Sequence, residues 1–292
     1  MATENKIKSA TYKITRGLFD FLTQTIGNFL VVIQPKKARK LSEQGLTLVI
    51  NNDMTIPERL MRGAIFNRLE KTKDFNRISE LHQTYWSKKG TDWLSEAYDL
   101  FETDFLPNCT FLFELLKQEL SNHSEQFKTL VEIGTGNGKV LKFLSLEFPE
   151  INRFVGIDLS PDQVNKNIQK FNQDKKLEFV VSNGSEWVKK NGGEKTIFVT
   201  SGGVLEYFTE SSLAELLKDI NALGKTFFVA IEPTSKEHNF EINPNSQVHG
   251  REWSFSHNYS KLFKDAGFDI WHYSQKPWDG GTNNRTFIGA KN

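Results

Sequence analysis

The sequence predicts an α/β fold: a doubly wound, seven-stranded sheet with an antiparallel last strand, preceded by a mainly helical N-terminal extension. Three observations carry this. An apolar run, Thr129 to Ile133, stops at the alternate glycines Gly134, Gly136 and Gly138, and a helix-forming segment with Val140, Leu141, Phe143 and Leu144 follows. A second apolar run, Phe154 to Asp158, ends in a carboxylate twenty residues beyond Gly138. Near the C-terminus two strand-like runs, Phe268 to Tyr273 and Arg285 to Ala290, follow one another with no helix between them.

The glycine loop reads as a small-molecule cradle. Residues without a Cβ allow positive φ and let a ligand lie against the backbone, while the next helix offers its free N–H groups to a carboxylate or phosphate. Asp158 falls at the carboxyl edge of the neighbouring strand, where an acid can accept both hydroxyls of a ribose. A nicotinamide or flavin dinucleotide and S-adenosyl-L-methionine both carry such a ribose. The spacing separates them: the dinucleotide fingerprint is G-x-G-x-x-G, whereas this loop is G-x-G-x-G and follows an acid, Glu132.

At these residues the chain resembles the class I S-adenosylmethionine-dependent methyltransferases. Their first motif, an acid followed by G-x-G-x-G, is matched by Glu132 to Gly138, and their second, a strand ending in an acid, by Gly156 to Asp158. The likeness extends over roughly Phe127 to Lys291. It implies a Rossmann-like methyltransferase sheet, ending in the antiparallel pair that dinucleotide folds lack. It also implies S-adenosyl-L-methionine as cofactor, held by Glu132, Gly134, Thr135, Gly136, Gly138, Asp158, Leu159, Asn183, Gly184 and Ser201. Asn183 matches the position whose side chain bonds the adenine amino group.

On this reading residues 123–292 form the methyltransferase domain and residues 1–122 an extension that the resemblance casts as a lid over the cofactor edge. From Ile7 to about Val32 apolar residues recur at three- and four-residue intervals, an amphipathic helix or two. Its densest apolar run, Phe29 to Ile33, is too short to cross a bilayer. The basic run Lys36 to Lys40 follows, so a helix lying on a membrane surface competes with one packed on the protein. Leu46 to Ile50 reads as a short strand or an extended connection. Thr55-Ile56-Pro57-Glu58 starts a helix well, with a capping threonine, a proline and an acid in the first turn. Helical patterns then cover Phe75 to Trp86, Thr91 to Phe101 and Asn108 to Leu120. Tyr85, Trp86 and Trp93 are the lid aromatics to watch.

Beyond Asp158, Ser160-Pro161-Asp162 opens a helix that returns to a third strand, Leu177 to Ser182. Thr196 to Thr200 is a fourth strand and Phe227 to Glu232 a fifth, with a helix at Leu213 to Leu223 between them. Asn239 to Arg251 reads as a polar excursion, Ser256 to Ala266 as a helix capped by Gly267, and Pro277 to Gly281 as the turn joining the last two strands.

Lys and Arg number 37 against 36 Asp and Glu, which leaves no electrostatic footprint for nucleic acid. The single cysteine, Cys109, cannot form an internal disulfide, and no signal-peptide pattern opens the chain, which suits a cytoplasmic location. No His, Cys and carboxylate grouping has metal-ligand spacing. Candidate bases or substrate anchors are Glu206, Tyr207, Glu232, His249 and His257, of which Glu206, Tyr207 and His249 carry the catalytic assignment. Glu206-Tyr207 follows the fourth strand, where the family faces the transferable methyl group, although Tyr207 stands where small-molecule members often have histidine. The expected activity is methyl transfer to an oxygen or nitrogen of a small molecule by in-line displacement. Alternatives are a protein side-chain acceptor and a non-catalytic cofactor-binding scaffold. Self-association into a homo-oligomer stays open.

Overall fold

The structure, a computed structural model, describes residues 21–47, 54–96, 100–123, 126–278 and 283–292. It divides into two compact units, residues 1–85 and 86–292.

In the first unit a π-helical turn, Thr23–Gly27, runs into α1 (Asn28–Ile33); α2 (Pro35–Gln44), α3 (Ile56–Lys71) and the first half of α4 (Phe75–Glu96) follow. The expected start of α3 is present: the Thr55 backbone N–H donates to Glu58 Oε2 at 2.8 Å, half of a capping box. Leu60, Met61, Phe66, Ile78, Leu81 and Tyr85 form the buried core of this unit. The helix expected from Ile7 is seen from residue 21 onward; its earlier part lies outside the described residues, as do residues 48–50 of the expected extended run. Leu46 and Thr47 are irregular chain, with the Leu46 N–H bonded to the Leu81 carbonyl. The two helices expected at Phe75 to Trp86 and Thr91 to Phe101 are one continuous helix to Glu96, because nothing at 87–90 breaks it.

The second unit starts with the end of α4, a π-helical turn at Phe101–Phe105 and α5 (Leu106–Ser121). Then come β1 (Thr129–Ile133), α6 (Lys139–Glu147), β2 (Arg153–Asp158), α7 (Pro161–Lys170), β3 (Leu177–Val181), α8 (Gly184–Asn191), β4 (Thr196–Thr200), α9 (Glu210–Ala222), β5 (Thr226–Ser235), a hairpin of β6 (Gln247–His249) and β7 (Ser254–Ser256), α10 (Tyr259–Asp265), β8 (Asp269–Trp278) and β9 (Asn283–Lys291). The sheet order is β3-β2-β1-β4-β5-β9-β8; β9 runs antiparallel between β5 and β8, and the other pairings are parallel. The doubly wound seven-stranded sheet is therefore as expected.

Period-two alternation divides the strands between two cores. Val131, Ile133, Val155, Ile157, Phe198 and Phe228 face α8, α9 and α10. Leu130, Phe154, Ile197, Val199, Phe227 and Val229 face α5, α6 and α7. Each face thus carries three helices. Because α5 supplies one of them, through Cys109, Leu112, Phe113 and Leu116, it belongs with the sheet. The division between units consequently falls at Tyr85/Trp86 and not at 122/123.

Three other expectations need correction. Asn183-Gly184-Ser185, whose residue types read as a turn at the end of the third strand, is the start of a helix, α8, whose Trp187 and Val188 enter the core. The excursion from Asn239 to Arg251 ends in β6, the first strand of the β6–β7 hairpin, and Ser254, Phe255 and Ser256 of β7 are buried. The following helix begins at Tyr259, not Ser256, since Asn258 is its cap and accepts from the Lys261 N–H at 3.2 Å. Residues 279–281 of the expected final turn lie outside the described residues, and Pro277 and Trp278 end β8.

Candidate active site

The glycine loop leaves β1 at the carboxyl edge of the sheet, where ligands bind in doubly wound folds. Gly134, Gly136 and Gly138 all have positive φ, at 74°, 51° and 71°. The loop is tied down on both sides. The Gly134 and Thr135 N–H groups donate to the Ile157 carbonyl at 2.8 and 2.9 Å. The Gly136 N–H donates to Asp158 Oδ2 at 2.9 Å, and Asn167 Nδ2 on α7 donates to the Gly136 carbonyl at 2.7 Å.

Asp158 is half-buried at the end of β2. Its Oδ1 accepts from the Ser160 N–H at 2.9 Å. Burial raises its pKa, against the backbone N–H groups of Ser160, Gly136 and Leu159, which favour the ionised form. Each carboxylate oxygen has a second lone pair, so the group can still accept the two hydroxyls of a ribose. Gly202, beyond β4 on the same edge, is exposed, and a Cβ placed there would meet nothing within 4 Å. A carboxylate, a glycine loop and open space at one sheet edge fit an adenosine-bearing cofactor.

Glu132 does not face that space. It is fully buried, and both oxygens are used: Oε2 accepts from Thr135 Oγ1 and Oε1 from Ser201 Oγ, each at 2.6 Å. Burial pushes its pKa up to about 7, opposed by the two hydroxyls. Glu132, Thr135 and Ser201 together brace the ends of β1 and β4. Asn183 Oδ1 caps α8 by accepting from the Ser185 N–H at 2.9 Å. Gly184 is a packing residue: a Cβ there would lie 2.6 Å from Ile133 Cγ2. Leu159 is half-buried beside Asp158.

The catalytic candidates do come together. A 3₁₀ turn at Leu205–Tyr207, after β4, carries Glu206 and Tyr207. Glu206 is buried; desolvation, then the charges of Glu252 and Glu232, hold its pKa well above the carboxylate range, against a hydrogen bond from Ser254. Tyr207 donates through its hydroxyl to Glu252 Oε2 at 3.0 Å, and its ring lies 5.5 Å from that of Trp86, centroid to centroid. His249, half-buried on β6, pairs across the hairpin with Ser254, the residue bonded to Glu206. Of the lid aromatics, Trp86 thus meets a candidate catalytic residue. Tyr85 is in the core of the first unit, and the Trp93 side chain lies outside the described residues. The last turns of α4 also reach the cofactor edge, with Thr91 Oγ1 3.0 Å from Ser160 Oγ.

Two residues hold the 205–207 turn in place. Glu232, fully buried in the second half of β5, accepts from the Val204 and Leu205 N–H groups at 2.9 and 3.0 Å through Oε2, and burial pushes its pKa up to about 7. His257 is not a helix-opening surface residue as its position before α10 suggests. It is fully buried and neutral: Nδ1 lies 2.6 Å from Ser246 Oγ, Nε2 lies 3.1 Å from the Leu205 carbonyl, and burial drives its pKa down to about 3. A neutral ring here requires Nε2–H to donate to Leu205 and Nδ1 to accept from Ser246. Sequence reasoning missed this role, and it missed Asn167, whose only trace is its i, i+4 spacing from Gln163 on one face of α7; the two side chains bond at 2.9 Å.

Comparison with known proteins gives a consistent answer. No curated protein sequence matches. Among solved structures, the magnesium protoporphyrin IX methyltransferase of Synechocystis PCC 6803 with bound S-adenosylhomocysteine aligns over 73% of this chain and 99% of its own, at 14% identity and a TM-score of 0.51. A putative sarcosine dimethylglycine methyltransferase of Galdieria sulphuraria aligns over 70% of this chain and 90% of its own, at 11% identity and a TM-score of 0.50. A Leishmania major S-adenosylmethionine-dependent methyltransferase aligns over 74% and 82%, at 12% identity and a TM-score of 0.50. At such identities these likenesses speak for the fold. A family profile described as "Methyltransferase domain" matches residues 109–273, more than half of the sequence, and the chain belongs to that family, in the class I S-adenosylmethionine-dependent group.

Proposed function

We propose that the chain binds S-adenosyl-L-methionine across the carboxyl ends of β1 and β2 and transfers its methyl group to an oxygen or nitrogen of a small molecule. The observation that carries the reading is Asp158, a strand-end carboxylate bonded to the glycine loop with lone pairs left for a ribose. The loop backbone at Gly134 to Gly138 would hold the amino-acid end, and Leu159, Asn183 and Gly184 would line the adenine side. Once bound, the cofactor supplies a methyl group on a cationic sulfur that becomes neutral as the group leaves.

The residues of the chain then have two tasks. Positioning an acceptor in line with that methyl group can contribute about 7 to 11 kcal/mol of barrier reduction. A general base adds about 10² to 10⁴ in rate where the acceptor loses a proton. Glu206, on the 205–207 turn, is the carboxyl placed to take that proton, and Tyr207, bonded to Glu252, to orient the acceptor. The near-balanced charge favours a small molecule over nucleic acid.

Titration calorimetry with S-adenosyl-L-methionine tests cofactor binding, and labelled methyl transfer into a fractionated cell extract tests the acceptor. Saturable binding with label in the small-molecule fraction is expected. Label in the protein fraction points instead to a side-chain acceptor, binding without any product to a scaffold, and absence of binding overturns the assignment.

A further inference from the structure

A packed helix ordinarily turns its large apolar side chains inward, and the helical stretch at residues 21–33 of the first unit does the reverse. Its buried stripe is Thr23 and Gly27, both small. An added Cβ at Gly27 would lie 2.4 Å from the Leu60 carbonyl oxygen, and one at Gly63 would lie 2.7 Å from Thr23 Cγ2. The stretch therefore meets α3 at close range through small residues. Leu22, Leu30 and Val31 are half-buried, and the other large side chains point away: Phe21 is 62% exposed, Phe29 63%, Val32 75% and Ile33 51%, with Ile26 at 46%. Phe21, Phe29 and Ile33, with Thr25 between them, fall on one line at four-residue spacing. A cluster of exposed large apolar side chains on one helical stretch marks an interaction surface.

The charge beside it selects the partner. Residues 21–34 carry no charged side chain, and α2 then begins with Lys36, Lys37, Arg39 and Lys40. Lys36, Arg39 and Lys40 are exposed, while Lys37 pairs with Glu58 at 3.2 Å. That ion pair sets α2 beside the first turn of α3, where Ile56 is also exposed. No Asp or Glu occurs from residue 21 to residue 42, and Glu58 beside α2 is engaged by Lys37, so two copies of this surface would bring its basic cluster against like charge. An anionic headgroup layer over an acyl phase complements both parts at once. Among the described residues no helix is long and apolar enough to cross a membrane, and the stretch at residues 21–33 is only about 20 Å long, a length suited to lying in the interface plane.

We infer that this face docks on an anionic lipid surface, with Phe21, Phe29, Val32 and Ile33 entering the headgroup–acyl boundary and Lys36, Arg39 and Lys40 meeting the headgroups. The full chain is sedimented with vesicles of phosphatidylcholine containing about one third phosphatidylglycerol and with phosphatidylcholine alone, at low and high salt. Preferential, salt-sensitive binding to the anionic vesicles is expected. The triple variant Phe21→Ser, Phe29→Ser, Val32→Ser should lower that binding by at least about tenfold. Lys36→Gln, Arg39→Gln, Lys40→Gln together should also lower it by at least about tenfold. Since every substituted side chain is exposed, both variants should melt with the wild type, which separates loss of the surface from loss of the fold. Lack of binding to anionic vesicles, equal binding to neutral ones, or a wild-type dimer that the serine variant turns into a monomer while vesicles capture neither, overturns the proposal.

Discussion

Asp158 and Gly136 are joined by a 2.9 Å hydrogen bond from the loop N–H to the carboxylate, so the residue assigned to the ribose also fixes the loop that approaches the same ligand. Asp158→Ala should remove both effects. A hydrogen bond to a charged group is worth about 1.5 to 3 kcal/mol, so affinity for S-adenosyl-L-methionine should fall by about 10- to 100-fold by calorimetry. Unchanged affinity would remove the ribose assignment.

Gly138 combines a φ of 71° with tight surroundings: a Cβ there would sit 2.8 Å from Phe171 Cε2 and 2.9 Å from Phe179 Cε1. Gly138→Ala should destabilise by about 2 kcal/mol or more, from backbone strain and displacement of the stacked phenylalanines. Urea unfolding measures it, and a wild-type midpoint contradicts the packing described.

Burial pushes the carboxyls of Glu132 and Glu232 up to about 7, against 4.5 for an ordinary glutamate. The folded state therefore holds more protons than the unfolded state between these values. Stability from each group is fully present below about 4.5 and is lost as pH rises through about 7, by about 3 kcal/mol per group. Glu132→Gln cannot titrate, so its melting temperature should decline less than that of the wild type between pH 5 and pH 8. Parallel profiles would refute the assignment.

His257 acts on the 205–207 turn from outside it, through the Leu205 carbonyl. His257→Ala should lower kcat while leaving the dissociation constant of S-adenosyl-L-methionine near wild type, because Asp158 and the glycine loop are untouched. Equal losses in both would mean that the substitution damages the whole edge and not the turn.

Tyr207→Phe keeps the ring against Trp86 and deletes the bond to Glu252. If the hydroxyl orients the acceptor, kcat/KM should drop by about tenfold, near the value of one hydrogen bond to a charged group. An undiminished kcat/KM would limit Tyr207 to a structural role.

Much of the sheet was legible because its strands are short, mainly apolar runs between turn residues, as at Thr129 to Ile133 and Thr196 to Thr200. The helix α8 was not, since Asn183-Gly184-Ser185 has turn chemistry and only Trp187 and Val188 in the eight residues that follow Asn183 are buried large apolar side chains. The β6–β7 hairpin hid for the opposite reason: Ser254 and Ser256 are buried by hydrogen bonding, which hydropathy reads as surface. In the site, the glycine loop and Asp158 announced themselves by spacing. Glu132 stood next to the loop and so looked like a ligand contact. Strand alternation would have put it on the face of Leu130, and Gly156 opposite it leaves room for Thr135. Nothing in the sequence brings His257 to Leu205, because that contact joins segments far apart in the chain.

The bracing of Glu132 by Thr135 and Ser201 bears on the thermodynamics of filling the crevice. The walls at β1 and β4 are already cross-linked from behind, so a ligand entering there has little backbone left to order. Its association should therefore carry a small entropic penalty and a heat-capacity change set by the surface it covers, not by coupled folding of the loop.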